Sequence, residues 1–320
     1  MQAPPGYSIR PPGAEEAAAV AAIFEAYDLL HFDKLDTSVA EIEEGWARPR
    51  FERERDSWVV VADRPVAYAS IWDERPGVDF YCDGVVHPDH WGRGLGGLLI
   101  DLMEGRAYGE AATVPPEGPI VLHNVVPRSD KQGAELFTSR GYARVRTFLR
   151  MVADLSSVSA TAAAAPPGIE LVPLRRGRDE RAFYETMMAS FAGGWRFQPA
   201  PYEEWAVRMA LPDFDPGLWW LAWDGGRAAG ALEGRSVDDV LGWIKNLGVR
   251  AGYRRRGIGS ALLGRAFEEF RSRGRKRVEL GVDSENETRA TALYERLGMR
   301  PAQRFDFYAK HIGPASSDKR

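Results

Sequence analysis

Apolar residues recur along the chain in short runs, some alternating with polar positions and some at helical spacing. Glycine, proline and small polar residues separate them, which is the pattern of strands and amphipathic helices in succession. Residues 7–10 read as a first strand, 15–27 and 39–46 as helices, and 58–62 with 66–72 as a strand pair. An apolar helix opens near 97, a strand follows at 120–125, and a short helix ends at the Gly141 turn. The same order then recurs: a strand at 169–172, helices at 179–191 and 202–209, strands at 218–223 and 228–232, and a further strand at 278–282. Each half reads β-α-α-β-β-β-α-β-α-β. The expected fold class is therefore α/β (α+β), with two similar domains, each a mixed central sheet flanked by helices.

The repeat is visible residue by residue. In the first half, Val85, Val86, His87, Pro88, Asp89, His90, Trp91, Gly92, Arg93, Gly94, Leu95 and Gly96 lead into the helix. In the second, Gly248, Val249, Arg250, Ala251, Gly252, Tyr253, Arg254, Arg255, Arg256, Gly257, Ile258 and Gly259 do the same. The later helices match without gaps from Leu136 against Leu293 to Tyr142 against Met299. Gly94 and Gly257 lie 163 positions apart but Phe137 and Tyr294 only 157, so the first copy carries about six extra residues. The prolines and glycines of 109–118 suggest a loop insertion there. Residues 156–167 are small and end in two prolines, so they read as a linker that packs no core. The expected domains are 1–155 and 168–320.

Composition narrows the function. A length of 320 residues suits two domains, and 44% hydrophobic with 28% charged residues is ordinary globular usage. The single cysteine, Cys82, permits no intrachain disulfide and reads as a small buried residue on the fourth strand. A cytoplasmic location fits this cysteine usage and the absence of a signal-like or membrane-spanning run. A net charge of −4 argues against nucleic acid as the partner, and the arginine-rich stretch 271–277 has a solvated helix face as its plain reading. Oligomeric state is left open, a monomer included.

The chemistry gathers at Arg254, Arg255, Arg256, Gly257, Ile258, Gly259 and Ser260. Glycines let backbone approach an anion, the first helical N–H groups are unpaired, and the helix dipole favours negative charge there. Arginines add charge-assisted hydrogen bonds, so a pyrophosphate suits the turn. The pattern Arg-x-x-Gly-x-Gly resembles the acyl-CoA loop of the GNAT superfamily of N-acyltransferases. Leu247, Gly248 and Val249 resemble that superfamily's bulged strand, which pairs with the pantetheine arm. Asn286 and the run from Ala292 to Met299 resemble its closing motif. The resemblance implies acetyl-CoA as cofactor and an amine acceptor, with no metal. It implies Leu247, Val249, Arg254 to Ser260 and Asn286 as cofactor contacts, and Tyr294 as the acid that protonates the departing thiolate.

A base is also needed. No histidine falls in the repeated core of the second half, which leaves Glu233 after the third strand and Asp283 at the end of the fifth. In the first half Gly94 and Gly96 keep the anion turn and are candidate cofactor contacts, which leaves CoA binding open there, but Trp91 replaces the arginine and Phe137 the tyrosine. The first domain is thus expected to be non-catalytic. Trp195 lies in a loop between the first two helices of the second half, where an aromatic acceptor pocket is expected. The two-domain organisation resembles mycothiol synthases, whose fourth-strand glutamate falls here on Trp243. The acceptor, a small molecule or a peptide, stays open, and so does a non-catalytic acyl-CoA-binding protein.

Overall fold

In the first repeat the chain forms β1 (Ser8–Arg10), α1 (Ala17–Phe32), α2 (Val39–Trp46), α3 (Arg53–Asp56), β2 (Ser57–Val61), β3 (Pro65–Arg75), β4 (Asp79–Val86), α4 (Leu95–Thr113), β5 (Ile120–Pro127), α5 (Lys131–Ser139) and β6 (Ala143–Asp154). The second forms β7 (Ile169–Pro173), α6 (Glu180–Phe191), α7 (Tyr202–Ala206), β8 (Trp219–Asp224), β9 (Arg227–Ser236), β10 (Leu241–Val249), α8 (Ile258–Ser272), β11 (Arg277–Asp283), α9 (Ala290–Arg296) and β12 (Arg300–Ile312). The computed structural model describes residues 2–32, 37–75, 78–113, 120–158, 164–211, 214–286 and 290–312.

The chain divides into two units, Met1–Thr147 with Gln303–Arg320, and Phe148–Ala302. Within the first, strands run β1-β2-β3-β4-β5-β12; within the second, β7-β8-β9-β10-β11-β6. The closing strand of each repeat therefore completes the other repeat's sheet: Phe305 to Ile312 pair antiparallel with Pro127 to Ile120, and Phe148 to Asp154 with Asp283 to Arg277. The boundaries expected at 155 and 168 are shifted by this exchange. Local sequence pattern marks where a strand lies but not which edge it joins. The start of the 156–167 stretch also packs: Val158 is buried, and Arg271 donates to the carbonyls of Leu155 and Val158 at 3.0 and 3.4 Å. Residues 159–163 lie outside the described residues.

Each sheet is covered on both faces. In the first unit α4 lies over Val60, Ala67, Ala69, Phe80 and Cys82, and α1 with α2 lies over Val59, Tyr68 and Val85. Helix α4 contains Gly96, Gly97, Gly105 and Gly109, each costing about 1 kcal/mol against alanine. It buries Leu95, Leu98, Leu99, Ile100 and Met103, each contributing about 2 kcal/mol, so packing outweighs propensity. Its continuation to Thr113 places Gly109 in helix rather than in the expected loop; residues 114–118 lie outside the described residues.

A fork opens in both sheets. The parallel pairing of β4 with β5 ends at Tyr81 and His123, and that of β10 with β11 at Ile244 and Leu280. In the second unit the register of β10 on β9 also shifts between Ile244 and Asn246, leaving Lys245 as an extra residue. The first unit has no such bulge between Ala67–Val86 and Asp73–Phe80.

Candidate active site

Beyond the fork in the second unit, β10 runs through the half-buried Leu247 and Val249 into a turn and then α8. Arg255 (φ 62) and Gly257 (φ 85) take left-handed backbone, which costs a non-glycine residue about 1 kcal/mol. This geometry turns the first N–H groups of α8, at Ile258, Gly259 and Ser260, outward from the helix start. Ile258 is buried and anchors the turn. The three arginines differ in what they do. Arg254 donates to the carbonyls of Val249 (3.2 Å) and Ser190 (3.0 Å), tying β10 to the end of α6. Arg256 meets Asp224 at 3.2 Å and lies over the Tyr253 ring. Arg255 is exposed. The turn fits a pyrophosphate through its amides and Arg255, whereas Arg254 is engaged within the protein.

The first unit repeats the geometry. Gly92 (φ 73) and Gly94 (φ 80) match Arg255 and Gly257. Trp91 donates its indole N–H to the Val86 carbonyl at 2.8 Å, the same strand-end contact that Arg254 makes. Gly96 and Gly259 let the following helix approach: a Cβ on them would meet Leu136 at 2.8 Å and Leu293 at 3.2 Å.

That last contact brings α9, and Tyr294 with it, to the first turn of α8. Tyr294 is buried, and burial pushes its phenol up to about 12. Glycines with φ 85 and 82, Gly298 and Gly141, follow α9 and α5. Phe137 takes the matching place in α5, stacked on Tyr308 and edge-on to Tyr142.

Glu233, a candidate base expected after the third strand of its repeat, lies within β9 and is buried. It is 4% exposed, Arg208 donates to both its oxygens at 3.1 Å, and the Asn246 amide donates at 2.7 Å. Neither partner was legible in the sequence, because Arg208 is 25 residues away and Asn246 reaches Glu233 only through strand register. Asp283 ends β11 past the fork, half-buried, and accepts from the Glu285 N–H at 2.9 Å. Asn286 follows in the same turn, its N–H donating to the Asp283 carbonyl at 3.2 Å. Alternation places Asp283 on the sheet face opposite Val282, away from α8. Phe148, its register partner, packs on Trp195 at 5.9 Å. Tyr294 and Asp283 thus stand on opposite faces of one fork. Among the described residues no histidine, cysteine and carboxylate group could hold a metal ion, and no helix is long and apolar enough to cross a membrane.

A fork between parallel strands, a glycine turn with outward helix N–H groups at one side and a phenol at the other suit an acyl-CoA-dependent acyltransferase. The acetyltransferase (GNAT) family model matches residues 20–114 and 181–299, and the chain belongs to that family. It is an N-acetyltransferase with acetyl-CoA as donor. A mycothiol acetyltransferase of Geodermatophilus obscurus is 31% identical over 226 residues, 67% of this chain and 68% of the relative. Another, of Kineococcus radiotolerans, is 33% identical over 227 residues, 68% of each. A GCN5-related N-acetyltransferase from Sphaerobacter thermophilus superposes with a TM-score of 0.86 at 30% identity, covering 98% of both chains. A tandem GNAT protein from the clavulanic acid biosynthesis pathway gives 0.73 at 18% identity, covering 97% of this chain and 100% of that one, a likeness of fold.

Proposed function

We propose that the second unit transfers the acetyl group of acetyl-CoA to a primary amine of a small molecule or peptide. The observation that carries this reading is the buried Tyr294 phenol on the helix whose Leu293 packs against the first turn of α8. Acetyl-CoA supplies a thioester whose carbonyl carbon the amine attacks. The α8 turn, with Arg255, Gly257 and Gly259, holds the pyrophosphate, and the unpaired edge of β10 at Leu247 and Val249 lines the fork. Asp283 takes the ammonium proton on the acceptor face, directly or through water. Tyr294 gives a proton to the leaving thiolate on the other face. Glu233, fixed by Arg208 and Asn246, holds the acceptor-side wall rather than serving as base. Trp195 and Phe148 give that wall an aromatic surface. The relatives' name makes a mycothiol-related amine the first acceptor to test. Trp243, half-buried beneath the Arg150 guanidinium at 5.5 Å, stands at the position that the resemblance to mycothiol synthases implies for their fourth-strand glutamate.

The test is Tyr294→Phe in the full chain. Turnover is expected to fall roughly 10²- to 10⁴-fold, with acetyl-CoA affinity unchanged by calorimetry. The loss is expected in kcat rather than KM. A variant that keeps full turnover removes the second unit from the chemistry.

A further inference from the structure

The first unit lacks a phenol at Phe137, yet its fork holds polar groups that nothing in the fold requires. Pairing of β4 with β5 ends at Tyr81 and His123, so Cys82 and Asn124 are the first residues past it. Gly84, in line with Cys82 on β4, faces Met103 and Leu99 of α4, and register puts Asn124 on that same face. There the Tyr142 hydroxyl and the Asn124 amide nitrogen are enclosed without a partner at bonding geometry. Tyr142 is 3% and Asn124 2% exposed. The Glu104 carboxylate and the Asn124 amide nonetheless lie close enough to act on the hydroxyl as imperfect hydrogen-bond partners, with Cys82 nearby, and Lys310 holds the Glu104 carboxylate at 2.8 and 2.9 Å. Held only by these imperfect contacts, the hydroxyl and the amide nitrogen forgo part of the roughly 1–3 kcal/mol that satisfying each buried group is worth. Both stand at the mouth of the fork, where a bound ligand can complete their bonding.

The opposite face carries a carboxylate. Asp83 lies one residue beyond Cys82, exposed, and pairs by register with Ser70. Asn246 and Glu233 hold the equivalent pair in the second unit, where Arg208 immobilises the carboxylate. Among the described residues Asp83 makes no hydrogen bond to a side chain; its charged neighbours are Arg48, after α2, and Asp28 of α1. The crowd of surrounding atoms raises its carboxyl above the ordinary aspartate range, which the Gly84 N–H and Arg48 only partly offset. Burial, then Cys82 and Glu104, raise the Tyr142 phenol as well. The anion turn at Gly92 and Gly94 has the backbone of its counterpart.

We propose that the first unit is a second acyl-transfer site, with Tyr142 as thiolate acid in place of the hydroxyl missing at Phe137, and Asp83 as acceptor-side base. The donor is an acyl-CoA thioester and the acceptor a primary amine. The amine nitrogen bonds to the thioester carbon, the carbon–sulfur bond breaks, Asp83 takes the ammonium proton, and Tyr142 gives its proton to the thiolate. Water reprotonates Tyr142 and discharges Asp83, so the products are an amide and free CoA. The Asn124 amide N–H faces the carbonyl oxygen. The site goes beyond the second-unit reading and shares with it the donor and the class of acceptor, but no residue.

The experiment uses the full chain with Gly257→Trp and Tyr294→Phe together, which silence the second unit's turn and acid. Labelled acetyl transfer from acetyl-CoA is read with glucosamine, spermidine and a lysine peptide as amines. Residual transfer is expected, falling roughly 10²-fold on adding Tyr142→Phe and also on adding Asp83→Asn. Calorimetry is expected to keep one acetyl-CoA per chain in each variant, which separates lost chemistry from lost folding. No transfer to any of the three amines, or transfer indifferent to Tyr142→Phe, overturns the proposal. Tyr142→Phe with an unaltered second unit leaves that unit's turnover in place, so failure here does not touch the role of Tyr294.

Discussion

Arg254 and Trp91 differ in charge, shape and size, yet each donates a side-chain N–H to the last carbonyl of its strand, at 3.2 and 2.8 Å. The exchange of arginine for tryptophan therefore preserves a hydrogen bond, and it is not by itself a sign of a lost anion site. Arg254→Trp is expected to keep acetyl-CoA affinity within about threefold. Arg255→Ala, removing an exposed cation from the turn, is expected to weaken it several-fold and more so at low salt. Calorimetry at two ionic strengths separates the two; an Arg254→Trp variant as weak as Arg255→Ala makes Arg254 a phosphate ligand. The glycine turn was legible in the sequence because positive φ is set by the residues that occupy it. The task of Arg254 was not, because its Ser190 partner is 64 residues distant. The partners of Glu233 were not legible for the same reason.

At the scale of elements, the coupling between α8 and α9 runs through one glycine. A Cβ at Gly259 would stand 3.2 Å from the Leu293 side chain, so filling that position pushes the helix that carries Tyr294. Gly259→Ala is expected to lower kcat about tenfold while acetyl-CoA affinity falls less, because the helix start remains and the acid moves. Equal losses in both quantities locate the damage in the turn instead. Burial bears on pH as well. With its phenol pushed up to about 12, Tyr294 stays protonated below that value, so the alkaline side of a kcat profile is expected to stay flat through the ordinary tyrosine range near 10. A fall there that vanishes in Tyr294→Phe contradicts the assignment. Periodicity located nearly every strand and helix, but α3 escaped it. The charged Arg53–Asp56 turn has no apolar face and is held by Asp56, which is buried and bonded to Arg106 at 2.8 Å.

For the whole molecule, the decisive fact is that the first unit is not a continuous stretch of chain: Gln303–Arg320 joins it from beyond the second. Asp306 on β12 accepts from Arg128 at 2.6 and 3.0 Å and from Thr147 at 2.6 Å, all within the first unit. Burial raises its carboxyl, but Arg128 and Thr147 outweigh that and hold it below the ordinary value. Its contribution is therefore complete above about pH 4 and is lost as pH falls through the lowered value. Asp306→Asn is expected to cost about 2 kcal/mol at neutral pH, with the difference from wild type shrinking in acid. Urea melts at the two pH values check this, and a pH-independent difference defeats it. Fragments cut in the 156–167 stretch are each expected to lack a closing strand and to melt without cooperativity alone.

The exchanged strands also set an order of synthesis. A ribosome delivers Phe148–Ala302, a complete second unit, before it releases the Phe305 to Ile312 segment that closes the first. Domains made in sequence usually fold in sequence, but this chain must finish its later-made half first. Until then the β5 edge stays open in the nascent protein, its backbone groups unpaired and available to any passing strand. Growing chains arrested near residue 302 are where a chaperone that shields strand edges has most to do.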